Sequence, residues 1–295
     1  MHKKSETKIE ELLNDNPKSI MVLYRMLKTD NFNLFQEGDK LCDYLLNNKN
    51  LLSQIPTELT YAGEDLRTER GWKDKEYRID TRDGYPVGLK ERQKLDDTPI
   101  DSLSEDLLAM HFFKQGRSKK EIKNPDKIEN LGYILDYQMP IGGTLSLLKV
   151  SSNDKYNKSD KSYPFGIRNP LNNDHLFSPG KCDLISYDNN QFTILELKIK
   201  DSPEPLIRAV LEVYTYYQML NKEKVTENLR EYYPNLNIPD YKKVKWRKSP
   251  LLYKGEDQKQ FIEYANPSSN LRKLTKELDI EPIWYRFENN KVVIG

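Results

Sequence analysis

Residues 101–295 of this 295-residue chain predict an α/β fold, and residues 1–100 predict a mainly helical N-terminal domain of unknown role that ends in an irregular linker. Three observations carry this reading. Strand-like and helix-like patterns mix from residue 105 to the end. Lys181 to Lys200 form two apolar runs around Asp188-Asn189-Asn190-Gln191, a hairpin signature. Pro203 and Pro205 then introduce a helical pattern from Leu206 to Leu220.

Along the chain, Ile9, Leu12 and Leu13, then Ile20, Leu23, Tyr24 and Leu27, then Leu41, Tyr44 and Leu45 repeat at helical spacing, which predicts short helices over residues 6–50. From Pro56 to Pro99 the pattern is polar, and Gly63, Gly71, Gly84, Pro86 and Gly88 interrupt it, placing a boundary near residue 100. A helix is expected from Ser102, whose spacing to Glu105 is that of a capping box, through Leu107, Leu108, Met110, Phe112 and Phe113 to Gly116. A short helical stretch follows. Gly132 to Pro140 reads as a strand stopped by Gly142-Gly143, and residues 144–179 as a long insertion rich in Lys, Asn and Ser. After the hairpin and its helix come a strand at Val244–Tyr253, a helix at Asn270–Leu278, and strands at Pro282–Phe287 and Val292–Ile294.

Composition narrows the class. A mean hydropathy of −0.83, 32% charged residues and no apolar run of membrane-spanning length predict a soluble protein without a membrane partner. Cys42 and Cys182 fit neither a zinc site nor a disulfide framework, and the N-terminus lacks a secretion signal, so a cytoplasmic setting is expected. The 47 basic and 46 acidic residues leave a net charge of +1, which argues against a strongly basic nucleic-acid packer. By region, 17 basic and 19 acidic residues in 1–100 sum to −2, and 30 and 27 in 101–295 sum to +3.

The hairpin carries the chemistry. With Asn189-Asn190 at the centre of a tight turn, Tyr187 pairs with Phe192, Ile185 with Ile194 and Asp183 with Glu196 on one face. Ser186–Thr193, Leu184–Leu195 and Cys182–Leu197 fall on the other. Two carboxylates roughly 5 Å apart at Cβ repel unless one is protonated or a cation intervenes. An oxygen-ligated Mg²⁺ or Mn²⁺ resolves the repulsion, and Lys198, on the same face as Glu196, is placed to orient or deprotonate a water. The chemistry such a site serves is phosphodiester hydrolysis.

Asp183, twelve intervening residues, and Glu196-Leu197-Lys198 at the end of an apolar strand resemble the core of the PD-(D/E)XK nuclease superfamily. Glu212-Val213-Tyr214-Thr215-Tyr216 is similar to the Gln-x-x-x-Tyr helix of its RecB-like branch, and Gln138-Met139-Pro140 to the strand end preceding the catalytic Asp. The resemblance covers about residues 105–295 and implies a restriction-endonuclease-like core, a mixed central sheet flanked by helices. It implies Asp183, Glu196 and Lys198 as catalytic residues. Asp183, Glu196, the Leu197 carbonyl and Glu105 would hold the metal, while Glu212, Tyr216 and Gln138 would support the site. Cys182 stands where the family name has Pro, and Glu212 where Gln is common.

Plainer readings exist for each signal. Glu6-Thr7-Lys8 and Glu121-Ile122-Lys123 are Glu-x-Lys triplets without a strand, so only the context of Glu196 distinguishes it. A capping role accounts for Glu105, and a helix-face ion pair with Arg208 accounts for Glu212. His175 reads as an exposed loop residue. Lys149, Lys155, Lys158, Lys161 and Arg168 form one basic cluster, and Lys242, Lys243, Lys245, Arg247 and Lys248 around Trp246 another; a solvated face is the default for both. Beside a nuclease core, Lys243, Lys245, Trp246 and Arg247 would instead grip phosphates and stack a base. The expected function is metal-dependent hydrolysis of nucleic acid, DNA before RNA. The alternatives are a non-catalytic nucleic-acid- or protein-binding domain of the same fold, and an unrelated soluble protein whose hairpin is only a core element. A homo-oligomer or a protein partner bound through the N-terminal domain stays open.

Overall fold

Asn189 and Asn190 both adopt left-handed backbone angles, with φ of 48° and 59°, and the two-residue turn they make sets the register of the central strands. Tyr187 faces Phe192, Ser186 faces Thr193, Ile185 faces Ile194 and Leu184 faces Leu195, as the turn chemistry predicts. A computed structural model defines residues 34–53, 98–115, 124–141, 180–289 and 291–295. The predicted helices before residue 34, most of the Pro56–Pro99 stretch, and the 144–179 insertion with His175 and its basic cluster lie outside the described residues.

The elements are α1 (Leu34–Asn47), α2 (Asn50–Ser53), α3 (Glu105–Lys114), β1 (Tyr133–Ile141), β2 (Gly180–Asp188), β3 (Gln191–Lys198), α4 (Leu206–Met219), α5 (Lys222–Tyr232), β4 (Lys245–Tyr253), α6 (Lys259–Ala265), α7 (Asn270–Glu277), β5 (Ile283–Glu288) and β6 (Lys291–Ile294). The six strands form one mixed sheet in the order β1-β2-β3-β4-β5-β6. β1, β2 and β3 run antiparallel, β4 joins β3 and β5 joins β4 in parallel, and β6 closes the sheet antiparallel to β5. The parallel pairs require crossovers, which α4 with α5 and α6 with α7 supply.

Side-chain alternation gives the sheet two faces. Asp183, Ile185, Phe192, Ile194, Glu196 and Lys198 share one with α4: Glu212 reaches Lys198, and Lys248 of β4 stands over the ring of Tyr217. Leu184, Leu195, Leu197 and Leu251 share the other with α3, whose Phe113 packs on Tyr137 with ring centroids 5.0 Å apart and whose Phe112 meets Tyr285 edge-on. One continuous core runs through both layers and includes Leu41, Cys42 and Leu45 of α1 and Leu51 and Leu52 of α2. α1 is tied to α7 through Asp39, which accepts from the Asn270 N–H at 2.9 Å. The described part of the first hundred residues is therefore built into the core of the rest.

Three local readings change. Ser104, not Ser102, caps α3, its hydroxyl accepting from the Leu107 N–H, while Ser102 ends a 3₁₀ turn over Ile100–Ser102. Glu105 is thereby the first residue of the helix and its side chain is released from a capping box. Within residues 124–131 the chain forms a turn closed by an Ile128–Gly132 bridge where a helical stretch was expected. α5 and α6 were not anticipated, since α5 buries only Val225, Thr226 and Leu229 and α6 is seven residues long.

Candidate metal centre

Hydrogen-bonded pairing of β2 and β3 ends at Leu184 and Leu195, short of the expected Asp183–Glu196 and Cys182–Leu197 pairs; beyond it, the Asp183 and Cys182 side chains reach the backbone of β3 instead. Asp183 is buried; its Oδ2 accepts from the Leu197 backbone N–H and its Oδ1 from Gln138 Nε2, both at 2.8 Å. Gln138 lies opposite Asp183 on β1 and adopts a left-handed φ of 51°, an uncommon angle for a residue with a side chain. Leu197 thus enters the site through its N–H, fastening one carboxylate in position.

Lys198 forms the centre. Its side chain is 4% exposed, and its Nζ lies 2.8 Å from Glu196, 3.0 Å from Glu204, 3.4 Å from Glu212 and 3.5 Å from Glu105. These groups arrive from β3, the loop before α4, α4 itself and the first residue of α3. The Tyr216 hydroxyl, one turn beyond Glu212, donates to Glu212 Oε1 at 3.0 Å. Arg208 pairs with Glu204 at 3.2 Å, so the helix-face partner proposed for Glu212 is committed to another carboxylate. Glu105, Asp183 and Glu196 each bring an oxygen within 4.8 Å of the other two.

Burial sets the electrostatics. Desolvation, followed by the Glu105 charge, pushes the Asp183 carboxyl well above the usual range. Desolvation, followed by the Asp183 charge, does the same to Glu196. Glu105, at the rim, is raised to about 7, first by desolvation and then by Glu204 and Glu212, against the lowering effect of Lys198. Burial alone would lower the Lys198 pKa, but Glu196, Glu212, Glu105 and Asp183 together outweigh it and keep the ammonium charged. With all groups ionised, five carboxylates face one ammonium and one guanidinium. Glu196 Oε2 and Glu204 Oε2 are buried without a hydrogen-bond partner.

The structure brings together Glu105, Gln138, Asp183, Glu196, Leu197, Lys198, Glu212 and Tyr216. It does not join Lys243, Lys245, Trp246 and Arg247 to them. Trp246 faces Phe192, four residues before Glu196 and so about 13 Å along the strand. Its ring stacks on Phe192 at 4.6 Å and its Nε1 donates to Thr226 at 3.3 Å, while Lys243, Lys245 and Arg247 are exposed. Glu204 escaped the sequence reading, although its i, i+4 spacing to Arg208 was available as a signal. No protein-family model, curated protein or solved structure matches this chain.

Proposed function

We propose that the protein is a Mg²⁺- or Mn²⁺-dependent hydrolase of nucleic-acid phosphodiester bonds, with DNA as the first substrate to test. The observation that carries this reading is the convergence of Glu105, Asp183 and Glu196 within 4.8 Å beside an almost fully buried lysine. The residues suit a hard divalent cation: all donors are carboxylate oxygens, and Glu196 Oε2 is a buried acceptor without a partner. The element order α3-β1-β2-β3-α4-β4, with three antiparallel strands followed by a parallel one, supports a restriction-endonuclease-like core.

Asp183, Glu196 and Glu105 would hold the cation, which when bound supplies Lewis acidity toward phosphate and a water of lowered pKa. The chain's own residues orient the reactants. Lys198, held charged by the surrounding carboxylates, acts as a donor that positions the nucleophile and steadies charge on the phosphate, and is poorly suited to be a base. Gln138 and the Leu197 N–H fix the Asp183 carboxylate, and Tyr216 fixes Glu212 against the lysine. A non-cutting binding domain is the second reading; the burial of the Lys198 ammonium in the carboxylate cluster favours it, because it already supplies part of the counter-charge.

Single- and double-stranded DNA and RNA, incubated with the protein in Mg²⁺, Mn²⁺ or EDTA beside Glu196→Ala and Lys198→Ala, test this. Cation-dependent cleavage lost in both variants is expected. Cleavage that survives either substitution removes the site assignment, and binding without cleavage supports the second reading.

A further inference from the structure

Glu204 lies outside every motif in the chain, yet it is the second-closest carboxylate to the Lys198 ammonium: its buried Oε2 pairs with Nζ at 3.0 Å, as an ion pair without a hydrogen bond. Its other oxygen pairs with Arg208 at 3.2 Å. The loop that carries it is held by two buried glutamines from the start of α6. Gln258 accepts from the Asp201 N–H at 3.1 Å and donates to Gln260 at 2.6 Å. Gln260 donates in turn to the backbone carbonyls of Ser202, at 3.2 Å, and Glu204. The Ser202 hydroxyl accepts from the Glu204 N–H at 3.3 Å, and Glu263 accepts from the Leu206 N–H at 2.8 Å.

The four carboxylates around Lys198 are not equivalent. Glu105 and Glu196 belong to the triad suited to a cation, and charge they gave to a bound cation would be withdrawn from the ammonium. Glu204 and Glu212 are outside that triad. We infer that Glu204 is a positioning residue for Lys198: with Glu212, it anchors the ammonium beside the cation-binding triad when Glu105 and Glu196 are engaged by a divalent ion. This rests on the cation-dependent reading of the site. Arg208 and the Gln258–Gln260 clamp fix where the Glu204 carboxylate sits, so the ammonium is held from α4 and from the α6-braced loop at once.

The test observes the ammonium directly. In ¹⁵N-labelled protein, the side-chain ammonium resonance of Lys198, identified by its disappearance in Lys198→Met, is recorded without cation and with saturating Mg²⁺. Wild type is expected to retain it in both states. In Glu204→Gln, which preserves side-chain size and the backbone bonds of the loop, it is expected to persist without cation and be lost to solvent exchange with Mg²⁺. Glu204→Asp, with the charge restored on a shorter arm, is expected to recover part of the signal and serves also if the Gln variant misfolds. In a cleavage assay, Glu204→Gln is expected to lower kcat by about 10–100-fold with little change in KM. A Lys198 resonance unchanged in the Mg²⁺-loaded Glu204→Gln protein, or lost equally in the Asp variant, overturns the inference. Failure of wild type to cleave any nucleic acid overturns the nuclease reading, and the ammonium spectra still decide the role of Glu204. Failure of Mg²⁺ to alter any spectrum, with no binding by titration, overturns both.

Discussion

Two clusters of like charge lie along α4, and they differ in how the charge is relieved. At Glu212, carboxylates from α3, β2, β3 and the loop before α4 gather round one ammonium. At Tyr217, five residues further on, Lys222 and Lys248 stand over one tyrosine ring, 4.2 and 4.5 Å from its centroid. Burial lowers both lysines, Lys222 to about 8 with Lys248 as the second cause, and Lys248 also donates to the Asp279 carbonyl at 3.4 Å. The aromatic face beneath both ammoniums offsets their repulsion from within the protein, and burial makes a proton easier to lose. The acidic cluster also takes up protons, but it retains two buried carboxylate oxygens with no hydrogen-bond partner, Glu196 Oε2 and Glu204 Oε2. Close charge is thus met within the protein in one place and leaves buried acceptors unsatisfied in the other.

The contrast breaks most visibly at Lys198. Replacing it with Met leaves buried carboxylates without their ammonium, and urea denaturation at pH 8 is expected to show a loss of about 3–5 kcal/mol. A loss below about 1 kcal/mol would place the acidic cluster in the same self-relieving class as the basic one.

Next in size is the pH dependence of the cation-free protein. Glu105 titrates near 4.5 unfolded and about 7 folded, so the folded state binds more protons between those values. Its contribution is present below about pH 4.5 and is lost as pH rises through about 7. Asp183 and Glu196 shift in the same direction. In EDTA, melting temperature should therefore fall across this window more steeply in wild type than in Glu105→Gln. Added Mg²⁺ or Mn²⁺ should restore it at pH 8, because the cation binds the deprotonated form. Equal slopes for the two proteins would count against Glu105 as a member of the cluster.

A smaller effect of opposite sign is expected at the basic cluster. Lys222 titrates near 10.5 unfolded and about 8 folded, so the unfolded chain binds more protons in that interval and stability rises with pH across it. Lys222→Met should remove this rise and be neutral or stabilising by up to about 1 kcal/mol at pH 7, as read by paired denaturation curves at pH 7 and pH 10. The smallest effect belongs to exposed Arg247. Arg247→Ala should change stability by less than about 0.5 kcal/mol. If the arginine contacts phosphate, the substitution should reduce the salt dependence of nucleic-acid binding by about one unit of slope.

Much of the sheet was legible because strands repeat every two residues and Asn189-Asn190 admit only a narrow choice of turn. One turn assignment orders Leu184, Ile185, Ser186 and Tyr187 against their partners. α4 was legible through its prolines and apolar stripe. α5 was not, since its few buried residues leave it polar overall, although Asn221 does cap it. The resemblance points to Glu105, while its capping-box spacing to Ser102 offers a plainer account; the 3₁₀ turn that moves the cap to Ser104 frees the carboxylate for Lys198. Glu204 sits in a proline-flanked loop where only its i, i+4 spacing to Arg208 points to it. The pairing of Arg208 with Glu204 rather than Glu212 depends on which side of α4 faces the sheet.

By itself, the sequence determined the α/β class, the hairpin register, and the alignment of Asp183, Glu196 and Lys198 on one face, because turn chemistry and strand alternation act over neighbouring residues. Tertiary structure decided which distant groups meet them. Glu105 from α3, Gln138 from β1, Glu204 from a loop held by α6, and Glu212 with Tyr216 from α4 converge because the ladder of β2 and β3 ends at Leu184–Leu195 and the elements packed around the sheet bring their polar groups to that opening. Burial at that junction, which no local pattern encodes, pushes the Asp183 and Glu196 carboxyls well above the usual range.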